Sequence, residues 1–133
     1  VRELIEPHII RRWGCDISKD ELKEYMDHCK KSLENTKDEE GKFKLDYILH
    51  DMILDQCRNA HLTRTMNQLQ DQTRRLRNMT GNRNSRLKYI MEEHIEITKW
   101  LLESDYEKAA QAMIYHLQQG KQSSFDLLMG KGV

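Results

Sequence analysis

Apolar residues recur every three or four positions through six successive segments of this chain, and nowhere do they alternate over a useful length. The first pattern is one stripe of an α-helix, whereas a half-buried strand requires period two. Only one proline interrupts the 133 residues, so helical segments meet few breakers. One third of the residues are charged, which supplies the outer faces of such helices. The expected fold is all-α, an antiparallel bundle of six helices with seven as the upper count. The length suits one core, so residues 1–133 are read as a single domain.

Local signals set the expected boundaries. The first helix spans roughly Arg2 to Trp13, with Leu4, Ile5, Ile9 and Ile10 on one side, Pro7 as a candidate kink or late helix start and Gly14 as its stop. Ser18-Lys-Asp-Glu21 has the form of a capping box and opens a second helix to about Asn35. Thr36-Lys-Asp-Glu39 has the same form and leads into a third, with Phe43, Tyr47, His50, Leu54 and Cys57 as its stripe. Arg58 to Ala60 is a short break. A fourth helix from His61 to Met79 carries Leu62, Met66, Leu69 and Leu76, and Thr80-Gly81-Asn82 ends it. The fifth carries Leu87, Ile90, Met91, His94, Ile97 and Leu101. Ser104 to Glu107 caps the sixth, whose inner face is Ala109, Met113, His116, Leu117 and Gly120.

Charge and cysteine content narrow the function classes. The formal net charge is zero and the pI about 7.2, so the whole-chain field favours neither a polyanion nor an anionic membrane. The basic stretch from Thr73 to Lys88 has no interleaved aromatic residue and is read as a solvated helix end. No apolar run approaches the roughly 18 residues that span a bilayer. Cys15, Cys29 and Cys57 are odd in number and lack CxxC spacing, as expected of reduced thiols in a cytoplasmic protein.

Three histidines occupy positions where the helical pattern calls for apolar side chains. They are His50, His94 and His116, and Asp46 lies one turn before the first. An i, i+4 pair projects from one helix face, so Asp46 and His50 can reach one ion. A buried imidazole needs a partner, and three can share a metal. Imidazole with carboxylate suits a borderline divalent ion: zinc first, with nickel, manganese or iron as alternatives. The bland alternative is three core histidines, each donating to a carbonyl. A di-iron carboxylate site is disfavoured, because Tyr47, Met91 and Met113 stand where Glu-x-x-His motifs would need Glu. His8, His28 and His61 lack the pattern and are read as surface or interface residues.

The ordered set of motifs resembles the C-terminal effector-binding (FCD) domain of GntR-superfamily transcription regulators, FadR subfamily. The carrying residues are Arg2-Glu-Leu-Ile-Glu6, Asp46-x-x-x-His50, Asn59, Arg86 leading to Glu93-His94, and Asp105 through Ala109-Ala110 and Met113 to His116-Leu117. Leu49 departs from the Phe common before the first motif histidine. The resemblance implies a divalent metal on Asp46, His50, His94 and His116, and no catalytic activity. It implies a small carboxylate effector, a sugar acid or hydroxy acid, that meets the metal and Arg2. It also implies a homodimer in a bacterial cytoplasm, built largely on the first and fourth helices, with Leu62, Met66 and Leu69 as interface or core residues. The family's winged-helix DNA-binding domain is not in this chain, so the chain alone is expected not to bind operator DNA. Asn59 is read as a cap or turn former. Two other classes stay open: a metal-dependent helical-bundle enzyme, and a metal-free structural dimerisation domain.

Overall fold

In the computed structural model, residues 2–79 and 86–128 are described, with side chains for 2–75 and 86–122. The elements are α1 (Arg2–Trp13), a 3-10 turn (Gly14–Asp16), α2 (Lys19–Glu34), α3 (Glu39–Leu54), α4 (Ala60–Met79), α5 (Leu87–Leu102) and α6 (Tyr106–Leu128). Among the described residues there is no strand, and no helix is long and apolar enough to cross a membrane. The turn expected at 80–82 lies outside the described residues.

Side-chain caps begin α2, α3, α4 and α6, whereas α5 starts at Arg86 without one. Ser18 Oγ accepts from the Glu21 amide at 3.3 Å, the serine half of a capping box. Asn59 Oδ1 accepts from the amides of His61 and Leu62 and opens α4. Two caps differ from expectation. Asp38, not Thr36, caps α3 through the Gly41 amide, and Asp105, not Ser104, caps α6 through the Lys108 amide. A carboxylate beside a helix N-terminus also meets the positive end of the dipole.

Ser104 instead ends α5. Its φ is 59°, its amide donates to the Leu101 carbonyl, and the Asp105 amide donates to Trp100. That bond pair is a Schellman ending with serine where glycine is usual. Lys19 Nζ reinforces it by donating to the carbonyls of Leu101 and Leu102 and to Ser104 Oγ. Lys42 does the same for α2, donating to the carbonyls of Ser32 at 2.6 Å and Asn35 at 2.7 Å. An ammonium fits the negative end of a helix, which is why Lys42 is tolerated at 4 % exposure.

Helix α5 packs against α2, α3 and α6, and α6 packs also against α1. The short link 103–105 makes α5 and α6 an antiparallel hairpin. Ala109 and Ala110 are fully buried and keep α6 thin where it meets its neighbours. The core is filled by Ile9, Ile10, Leu22, Leu49, Ile53, Met91, Ile97, Leu101 and Met113.

Several faces differ from the periodic reading. On α3 the buried side is Lys42, Leu45, Asp46, Leu49, His50, Ile53 and Leu54, while Phe43 and Tyr47 sit half-buried at its edge. Met66 is fully buried in the core, so it is no interface candidate in this structure; Leu69 packs partly against the core. A Cβ on Gly120 would meet nothing within 4 Å, so Gly120 does not extend the inner face of α6. Gly14 does end α1, for a packing reason: a Cβ there would lie 2.8 Å from Tyr106 Cδ1.

Candidate metal centre

Asp46 and His50 rise from successive turns of α3, His94 comes from the middle of α5, and His116 comes from α6. All four are buried, and one ligand atom from each lies within 4.8 Å of every other. His94 Nε2 is 3.1 Å from Asp46 Oδ1 and 3.0 Å from His116 Nε2. His50 Nε2 is 3.3 Å from His116 Nε2 and 3.8 Å from Asp46 Oδ1. A tetrahedral shell with zinc–nitrogen bonds has edges of about 3.4 Å, within the range of these separations.

The opposite ring nitrogens decide which way the lone pairs point. His50 Nδ1 lies 2.5 Å from Glu6 Oε1, and His116 Nδ1 lies 2.7 Å from Glu93 Oε1. A carboxylate only accepts, so each Nδ1 carries the proton. His94 Nδ1 is 2.7 Å from the Tyr25 hydroxyl, which donates its own proton to the Leu45 carbonyl at 2.7 Å. The Tyr25 oxygen therefore accepts from His94 Nδ1–H. With every Nδ1 protonated, a ring that carries only that proton turns its Nε2 lone pair inward, beside the Asp46 carboxylate. Four electron-pair donors facing one another repel unless a cation joins them, so the donor set fits a divalent ion.

Electrostatics hold this state. Burial, with repulsion between neighbouring rings, lowers the pKa of His94 and His116, against partial opposition from Asp46 and Glu93. Both are thus neutral, the form that ligates. Burial pushes the Glu6 carboxyl up, but His50 and Arg2 outweigh it and hold the pKa at about 2. Glu93 is likewise lowered by His116 and Arg86 against its burial. Burial raises the Tyr25 hydroxyl, and it lifts the Cys29 thiol to about 11, so both stay protonated.

Arg2 lies at the rim. Its Nε pairs with Glu6 Oε2 at 3.2 Å, and its Nη1 donates to Thr73 Oγ1 at 3.4 Å. Its Nη2 is 3.3 Å from His50 Nδ1. A guanidinium cannot accept, and Nδ1 already donates to Glu6, so this last contact is a close approach and not a hydrogen bond. His8, His28 and His61 are exposed and apart from the cluster.

The orienting residues Glu6, Tyr25 and Glu93 were not assigned roles from sequence. A signal existed for Glu6, a charge on the apolar side of α1 next to Pro7, Ile9 and Ile10. Glu93 is off the face of its neighbour His94, as the helical spacing implies, and it reaches His116 instead. Arg74 and Arg86, read as part of a solvated basic stretch, face inward: Arg74 stacks 4.4 Å over Tyr47, and Arg86 Nη2 donates to Glu93 Oε1 at 2.7 Å.

The FCD domain family profile matches residues 1–119. No curated protein and no solved structure matches the chain. Together with the helical bundle that carries this cluster, the match over most of the chain shows that it belongs to the FCD family, the effector-binding domain of GntR-type transcription regulators.

Proposed function

We propose that this chain is the metal-dependent sensing and dimerisation domain of a bacterial, cytoplasmic regulator of the FadR subfamily. Asp46, His50, His94 and His116 hold one divalent ion, with zinc the first choice for three imidazoles and a carboxylate. The observation that carries this reading is the orientation of the three rings, whose Nε2 lone pairs converge because Glu6, Tyr25 and Glu93 occupy each Nδ1.

When bound, the ion supplies a Lewis-acidic anchor for the oxygens of a small carboxylate, a sugar acid or hydroxy acid. The chain's own residues do the rest. Arg2 offers a guanidinium fork at the rim. Burial excludes water and strengthens each polar contact. Ligand binding favours one arrangement of the helices, and so one presentation of DNA-binding domains that lie outside this chain, across a homodimer.

Elemental mass spectrometry of protein purified without chelators tests this, alongside His94→Ala. Near-stoichiometric metal in the parent and its loss in the variant is the expected result. An empty parent after reloading with zinc, nickel and manganese overturns the metal assignment.

A further inference from the structure

Three buried hydrogen-bond donors on α4 and at the start of α5 lack an acceptor among the described residues. Among the described residues, buried Gln70 Nε2 has no acceptor, and neither do the buried Nε atoms of Arg74 and Arg86. Buried donors are ordinarily paired, so such a group points to an acceptor that a bound molecule brings.

The position of these donors on α4 is informative. Gln70, Thr73 and Arg74 are three and four residues apart, so they share one side of the helix. Thr73 and Arg74 on that side meet groups that adjoin the centre. Thr73 accepts from Arg2, whose guanidinium lies against His50, and Arg74 stacks on Tyr47, one turn before His50 on α3. Arg86 approaches from the start of α5, joined through Glu93 to His116.

Charge bookkeeping sets the ligand's valence. Among the described residues at and beside the centre, Arg2, Arg74 and Arg86 balance Asp46, Glu6 and Glu93. A divalent ion then adds two positive charges to a buried site, which is unfavourable unless they are compensated. A monocarboxylate cancels only one.

We infer that the centre takes a dianionic organic acid, with one carboxylate at the metal and the second received by Gln70 and Arg74 of α4. This rests on the metal-anchored reading above. It makes Gln70 and Arg74 specificity-determining residues.

The test is calorimetric titration of the metal-loaded chain with malate and with lactate, two 2-hydroxy acids that differ in the second carboxylate. Metal content is measured on the same samples. Malate is expected to bind at least tenfold more tightly than lactate. Gln70→Glu, which puts a negative charge at the receiving end, and Arg74→Met are expected to erase that preference, weakening malate at least tenfold more than lactate. Equal binding of the two acids by metal-loaded parent overturns the inference and leaves the metal reading standing, and so does binding of neither acid. Equal weakening of both acids in the variants shows a structural role and overturns it too. Loss of metal from the parent overturns both readings. The parent comparison is decisive even where a variant fails to fold.

Discussion

Tyr25→Phe removes one oxygen and isolates the role of an orienting residue. The hydroxyl is buried and makes two 2.7 Å contacts, to the Leu45 carbonyl and to His94 Nδ1. Its loss strands a buried imidazole N–H, at a cost of about 1–3 kcal/mol. The Leu45 carbonyl loses a second donor, a smaller effect. For a chain of this size that range corresponds to a fall in the melting temperature of roughly 3–12 °C. The ring has an escape. With no acceptor at Nδ1, His94 can move its proton to Nε2, where Asp46 Oδ1 waits 3.1 Å away. That exchange recovers part of the stability and directly opposes ligation, because Nε2 must then lose a proton to bind an ion. Metal affinity should therefore fall about 10–100-fold, the usual effect of losing an outer-layer partner. Competition titration against a chelating dye measures the affinity, and nitrogen-15 NMR of the metal-free protein reads the tautomer. Affinity within twofold of the parent, with His94 still protonated at Nδ1, would refute the reasoning.

Three further outcomes are expected. Metal-free protein should lose stability as pH falls: His94 and His116 have lowered pKa values, so protons favour the unfolded chain from about pH 6.5 downward, and Glu6, at about 2 against 4.5, adds a loss of about 3 kcal/mol between those values. Urea unfolding across pH checks this, and stability that is flat or rising from pH 6.5 to 4 would contradict it. Gly14→Ala should destabilise by about 1–3 kcal/mol through overpacking, because its Cβ would sit 2.8 Å from the Tyr106 ring; an unchanged unfolding midpoint would show that the ring yields freely. Lys42→Met should cost about 1–3 kcal/mol by leaving the Ser32 and Asn35 carbonyls without their ammonium donor, with no change in metal affinity; a stable variant would mean that the end of α2 satisfies itself.

Helix-forming information is local, and so it was legible in the chain. Apolar spacing located six helices, and α1 ends at Trp13, where Gly14 signalled its stop. Asp46 and His50 share a face by helical geometry alone, so that pair needed no tertiary knowledge. Caps were less secure: Thr36 and Asp38 offer competing oxygens two residues apart, and Asp38 wins. On α3 the periodic reading selected Phe43 and Tyr47, because a stripe drawn from apolar residues ignores buried polar ones such as Lys42 and Asp46.

The sequence alone determined the helical class, the near position of every element and the four residues that meet in the interior. Their mutual approach was a matter of tertiary structure, since His94 and His116 stand on different helices from the Asp46–His50 pair. Tertiary structure also chose the partners of each ring. Glu6, Tyr25 and Glu93 lie 44, 69 and 23 residues from the histidines they orient. No helical period connects positions so far apart. Only packing, which brings α1 and α2 against α3 and α5 and joins α6 to α5, decided which nitrogen of each imidazole faces the centre.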